Sequence, residues 1–204
     1  MNHIGKAYAV PTRLLELDAT PAGLVTRPLN KVYKSVWASL RKTLLKENGV
    51  VCQVCKHVGE ISRHIHCHEA YAFPDNKVVR LELVVLLCWR CHDATHFERT
   101  KRRCGPQYVQ EIAAHYREVN GGLSEKVFEQ DLEKTFRRMQ DIRESYGGPA
   151  AAPKIDYGPY QIRVDEFIAR NRRFEAEEDD DGEFEMSPDH EFPNATAMWR
   201  ECFA

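Results

Sequence analysis

Apolar positions recur along this chain with two different periods, and the alternation between them outlines the fold. Over residues 31–47, Val32, Val36, Leu40, Leu44 and Leu45, joined by Trp37, fall three or four residues apart, the spacing of one helical face, and Asn48-Gly49 ends the run. Residues 61–73 are short, β-prone and rich in histidine. The turn signal Pro74-Asp75-Asn76 follows, and the Val and Leu content of 78–87 reads as a second strand, so the pair predicts a hairpin. No breaker interrupts residues 91–103 before Gly105-Pro106, which predicts a short helix. Residues 108–119 place Ile112, Ala113 and Tyr116 on one face and stop at Asn120-Gly121-Gly122. Ser124 then heads a helix to about residue 145, with Val127, Phe128, Leu132, Phe136 and Met139 as its core stripe. Such stripes are the ordinary signature of scaffold packing.

The flanks have a different texture. Residues 1–30, with Pro11, Pro21 and Pro28 and little periodicity, read as an irregular arm. Residues 147–153 are a linker by composition, and the segment through Tyr157-Gly158-Pro159-Tyr160 is expected to lie over the body. Residues 162–173 predict a last helix, and the acidic stretch beyond it cannot bury enough apolar surface to fold alone. The expected division is therefore an arm over 1–30, a core over 31–105, a helical portion over 106–173 and an acidic tail over 174–204, in a chain of the α+β class.

Composition narrows the function classes. In 204 residues, 43% are hydrophobic and 29% charged, which are globular values. The longest apolar run, residues 83–87, is too short to span a bilayer, and no secretory leader opens the chain, so neither a membrane partner nor export is expected. The net charge of -2 conceals an asymmetry: residues 174–191 carry ten acidic side chains and no Lys or Arg, while residues 1–173 carry 28 basic against 20 acidic ones, or +8. A basic body suits a polyanionic partner. The tail has two readings, a mimic that competes with nucleic acid for that body or a solvating segment, and it also offers a surface to a protein partner.

The seven cysteines carry the chemistry. Five lie within residues 52–91, and four of these form two pairs, Cys52-x-x-Cys55 and Cys88-x-x-Cys91, separated by 32 residues. Paired spacing around a hairpin reads as metal binding in a reducing, cytoplasmic compartment rather than as a disulfide framework or as buried free thiols. Four thiolates make a closed tetrahedral zinc site, structural because no position is open to water. Immediately after the second pair, His92 and His96 stand at i and i+4, so both imidazoles leave one helical face and can share a metal. On a regular strand His64, His66 and His68 would share a face, with His64 and His66 either touching metal or phosphate or being spare surface residues. Glu69 is either a hydrogen-bond partner of a ligating histidine or a solvated edge residue. Arg99, Lys101, Arg102 and Arg103 follow the histidine pair directly and would offer cations to phosphates at the metal.

Cys52-x-x-Cys55, then Cys67-His68-Glu69-Ala70-Tyr71, then the run from Leu86 through Cys88-Trp89-Arg90-Cys91-His92 to His96-Phe97, resembles the HNH endonucleases, in particular the branch of small phage and bacterial proteins with a four-cysteine zinc frame. The resemblance covers roughly residues 35–160, with its specificity concentrated in 52–97. It implies a ββα-metal (His-Me) finger embedded in a mostly helical domain, and an enzyme that hydrolyses DNA phosphodiester bonds, RNA remaining a possible substrate. It further implies that His68 activates water and that His92 and His96 hold a divalent ion such as Mg2+, Mn2+ or Ni2+, beside zinc on the four cysteines. The chain departs from the pattern twice. The residue before the base, commonly Asp or His, is Cys67, and where a middle Asn often orients the base stand Glu82 and Leu83. The competing reading is a catalytically inactive zinc-binding module for DNA or protein that kept the frame and lost the chemistry.

Overall fold

A computed structural model describes residues 14–25, 28–147 and 153–158. The acidic tail over 174–204 and the expected helix over 162–173 lie outside the described residues. The architecture is mixed α+β: helices α1 (Leu29–Val32) and α2 (Lys34–Asn48), strands β1 (Ile65–Ala72) and β2 (Val79–Cys88), helices α3 (Trp89–Thr95), α4 (Phe97–Arg103), α5 (Pro106–Val119) and α6 (Glu125–Tyr146), and a short β3 (Ile155–Asp156).

The hairpin forms where the sequence predicts it. β1 and β2 pair antiparallel from Ile65 opposite Cys88 to Ala72 opposite Arg80, with an irregularity between Ala70 and Tyr71 that leaves Glu82 as an extra residue in β2. β3 joins the far side of β2 in parallel through Val79 and Ile155, giving the order β1-β2-β3. It brings Tyr157, buried, against Tyr33 with the ring centroids 5.4 Å apart, so Tyr157 lies over the body, while Pro159, Tyr160 and most of the expected linker, 148–152, lie outside the described residues. Beneath β1, the guanidinium of Arg41 in α2 donates to the Ile65 carbonyl at 2.8 Å, which fixes where the strand begins.

Two runs read as single helices are each broken. The first is interrupted at Tyr33, whose backbone leaves helical geometry (φ -121°, ψ 64°) as its ring turns to Tyr157. The second breaks at His96 (φ -94°, ψ 41°). There the Thr100 hydroxyl donates to the Asp93 carbonyl at 2.9 Å, taking the acceptor that an unbroken helix would give to the Phe97 amide. The stripe of α6 also needs correction at one position. Phe128 enters the main core with Ile65, Leu86, Phe97, Ile112 and Tyr116, whereas Ile142 and Tyr146 enter a separate cluster with Leu24 and Val79. A helix of this length bridges the two clusters, and Phe136, at its middle, is 50% exposed. The helix starts where expected, with the Ser124 hydroxyl accepting from the Val127 amide at 3.4 Å.

The described part of the arm, residues 14–25, is built into the core; residues 1–13 lie outside the described residues. Leu15 and Leu24 are buried, and Asn120 at the end of α5 clasps Leu15 from both sides. Its Oδ1 accepts from the Leu15 amide and its Nδ2 donates to the Leu15 carbonyl, each at 3.0 Å. Asn120→Ala is therefore expected to lower stability by about 1–3 kcal/mol, since two backbone groups lose their partners. Phe136→Gln should cost under about 0.5 kcal/mol. Urea midpoints of the two variants check this contrast, with Asn120→Ala the clearly weaker protein.

Candidate metal centres

The first centre is assembled from a tight turn and a strand end. Val51 bridges Val58, the Cys52 amide donates to the His57 carbonyl at 2.8 Å, and Lys56 adopts the left-handed conformation (φ 63°) that closes the knuckle. Gln53 then docks this turn on β2 like a further strand residue. Its amide donates to the Leu86 carbonyl, and its side-chain oxygen accepts from the Leu86 amide, both at 2.8 Å. Cys52 and Cys55 are thereby held beside Cys88, which ends β2 and caps α3, and Cys91 one turn later.

The four sulfurs lie within 4.8 Å of one another, with Cys55 and Cys88 at 3.6 Å. Four sulfurs each about 2.3 Å from one ion stand about 3.8 Å apart, so the donor set and its spacing fit tetrahedral zinc. Hydrogen bonds from Cys88 and Cys91 hold the Cys52 thiol far below its ordinary range, while the same contacts push Cys91 far up and Cys88 up to about 12. Four sulfurs packed this closely cannot all carry charge without a counter-charge, which a dication supplies. His115 of α5 adds a contact that no sequence signal announced, its Nε2 3.2 Å from the Cys91 sulfur.

The second centre sits on the adjoining face. His68 of β1 is 8% exposed and meets the rings of His92 and His96, with centroids 5.7 and 4.8 Å away, while His92 and His96 are 4.9 Å apart. One ring nitrogen from each of the three lies within 4.8 Å of the others. Burial, reinforced by the neighbouring imidazoles, drives His68 down to about 4 and His92 down to about 2, so both are neutral near pH 7 and their nitrogens are available as donors. Unlike the cysteine group, three imidazoles leave coordination positions open.

The neighbours of this trio refine the sequence reading. His66 is half-buried and stacks on His92 at 5.0 Å, so it is not a spare surface residue. His64 lies in the 3-10 turn Ser62–His64 before β1 and does not share the strand's alternation. Glu69 faces away from the histidines and accepts from the Asn30 amide at 3.2 Å, so it ties α1 to the sheet and partners no ligating histidine. Cys67 also alternates away from His66 and His68, and its sulfur accepts from Arg41 at 3.6 Å. Glu82 pairs with Arg80 at 3.0 Å. Among the expected cations, Arg99 is half-buried 3.8 Å from Asp93 and its charge reaches His66, His68 and His92. Lys101, Arg102 and Arg103 are exposed on the last turn of α4.

Two carboxylates of the site went unnoticed in the sequence. Asp93 accepts from the Tyr108 hydroxyl at 2.5 Å and stands 3.9 Å from His92 Nδ1. Asp18, from the arm, lies 3.2 Å from His96 Nδ1. Asp93 lay inside the motif with no role attached, while Asp18 belongs to a stretch whose lack of period gave no hint of where it would dock.

No described helix is long and apolar enough to cross a membrane. Compared with protein-family models, curated proteins and solved structures, the chain matches none.

Purified protein is expected to carry one tightly held zinc per chain on Cys52, Cys55, Cys88 and Cys91, and Cys88→Ser should be largely unfolded by circular dichroism. Metal analysis that finds a folded, zinc-free wild type would contradict this assignment.

Proposed function

We propose that this chain is a metal-dependent endonuclease of the HNH type, hydrolysing DNA phosphodiester bonds at the histidine centre. The observation that carries the reading is the meeting of His68, from a hairpin strand, with His92 and His96, from the helix that follows, beside a separate four-cysteine group. Strand, strand and helix in that order, with histidines converging from the first and the third, are what a ββα-metal finger requires.

In this reading His92 and His96 bind a divalent ion such as Mg2+, Mn2+ or Ni2+, and the cysteine frame keeps its zinc. The bound ion supplies charge neutralisation for the scissile phosphate and the leaving oxygen. His68, neutral at working pH and buried against both ligands, accepts the proton of the attacking water. Arg99 stands closest to the histidines and contacts the scissile phosphate, while Lys101, Arg102 and Arg103 bind neighbouring phosphates and hold the duplex in place. Cys67 has no part in the chemistry, because its side chain is on the opposite face of β1. Commitment of Glu82 to Arg80, where relatives in the resembled family often orient the base with Asn, is the observation favouring the second reading, a zinc module that binds DNA without cutting it.

The two readings separate in a plasmid-cleavage assay on zinc-loaded protein, with Mg2+, Mn2+ or Ni2+ added after chelation. Cleavage is expected with at least one of these ions. His68→Ala should lower the rate by about 10²–10⁴-fold with the divalent-ion affinity unchanged, whereas His92→Ala and His96→Ala should weaken ion binding and be partly rescued by excess metal. Full activity in His68→Ala would remove it from the base role. Absence of cleavage by wild type with every ion would leave the binding module.

A further inference from the structure

Asp18 reaches the histidine centre from the arm, and its amide and both carboxylate oxygens are engaged. Its amide donates to the Thr95 carbonyl at 2.8 Å, so its backbone is pinned to the residue before His96. Its Oδ1 accepts from the Thr20 amide at 2.8 Å, and its Oδ2 faces His96 Nδ1 at 3.2 Å. On either side the strap is anchored by apolar burial, through Leu15, which Asn120 clasps, and Leu24. An aspartate fixed through its amide and both carboxylate oxygens within an otherwise irregular segment is more order than a surface loop needs.

The geometry fixes what such a carboxylate does to His96. A proton on Nδ1 that is directed to Asp18 leaves Nε2 unprotonated on the opposite side of the ring, which is the state a metal ligand requires. His92 lacks an equivalent partner: its Nδ1 is 3.9 Å from Asp93 Oδ1, beyond hydrogen-bond range, while Asp93 Oδ2 accepts from the Tyr108 hydroxyl. His96 also occupies the break between α3 and α4, where its amide donates to the His92 carbonyl at 3.1 Å and its carbonyl accepts from the Arg99 and Thr100 amides at 2.9 and 3.1 Å, so its backbone is fixed and what remains to be set is the orientation of its ring. Its ring is therefore the ligand most in need of an external support.

We propose that Asp18 is the positioning residue of the histidine metal centre, and that residues 14–25 form a strap which completes that centre by orienting His96. This inference rests on the reading above that a divalent ion binds there. The strap adds no ligand of its own. It makes metal affinity depend on a segment far from the motif in sequence, and ion binding in turn favours the docked strap, because coupling between two equilibria is reciprocal.

The test uses full-length, zinc-loaded protein and Mn2+ alone as the probe, with binding followed by calorimetry. Asp18→Ala should weaken Mn2+ binding by about 10–100-fold, the usual range for losing a partner of a ligating histidine. Asp18→Asn keeps the shape and an acceptor oxygen but not the charge, and should fall between that variant and wild type. Glu16→Ala, an exposed strap position, should bind as wild type does. In Mn2+-free protein the imidazole 15N signals of His96 should report the Nδ1-protonated tautomer in wild type and a mixture in Asp18→Ala, a change that loss of packing alone would not produce. Wild-type Mn2+ affinity in a folded Asp18→Ala, or an unaltered tautomer, would overturn the proposal while leaving the metal centre standing. Failure of wild type itself to bind Mn2+ would overturn both together.

Discussion

The attachment of the knuckle at residues 51–58 to the end of β2 sets the position of every other functional group. Gln53 makes it with two backbone-directed hydrogen bonds to Leu86, and the four cysteine sulfurs converge immediately beyond. Because β2 ends at Cys88 and α3 begins at Trp89, the same attachment fixes the axis of the helix that carries His92. The register between β1 and β2 then determines which strand residues meet that helix. A slip of one residue would turn His66 and His68 to the core side and bring Cys67 outward. The hairpin is too small to resist such a slip alone, and a metal-bridged knot at one end is a direct way to prevent it.

The histidine centre follows from that constraint and has an opposite electrostatic character. The cysteine group concentrates potential negative charge and calls for an ion that closes it. At the second centre three imidazoles crowd together with Arg99 nearby, and burial keeps His68 and His92 neutral. Imidazole nitrogens from His92 and His96 form a donor set that can bind a divalent ion and still leave room for an anionic ligand. In the proposed nuclease that ligand is a phosphate of DNA, and the +8 charge of residues 1–173 draws the polyanion toward it.

Much of this was legible in the sequence because it is written in spacing. The two Cys-x-x-Cys pairs, the turn at Pro74-Asp75-Asn76 and the i, i+4 relation of His92 and His96 are local rules, and each lands where its spacing says. The breaks at Tyr33 and His96 carry no signature in the sequence, because both residues are ordinary in a helix and the contacts made at the breaks, Tyr33 with Tyr157 and the Thr100 hydroxyl with the Asp93 carbonyl, belong to the folded structure. Gln53, His115 and Asp18 were missed for a related reason. Each acts through one contact made by the tertiary fold, and a single polar residue in an aperiodic stretch carries no signature. His64 departs from the strand alternation because it precedes β1 in a 3-10 turn, and Glu69, open between a histidine partner and a solvated edge residue, is neither, because its face of β1 meets the Asn30 amide.

Zinc K-edge absorption on protein given first one and then two equivalents of zinc tests the central claim most directly, that two metal centres of different chemistry share one hairpin. The first equivalent should show four sulfur neighbours at about 2.3 Å and no light-atom shell, and the second should add nitrogen and oxygen neighbours at about 2.0–2.1 Å without removing sulfur. Nitrogen in the shell of the first equivalent, or loss of sulfur as the second enters, would contradict the account.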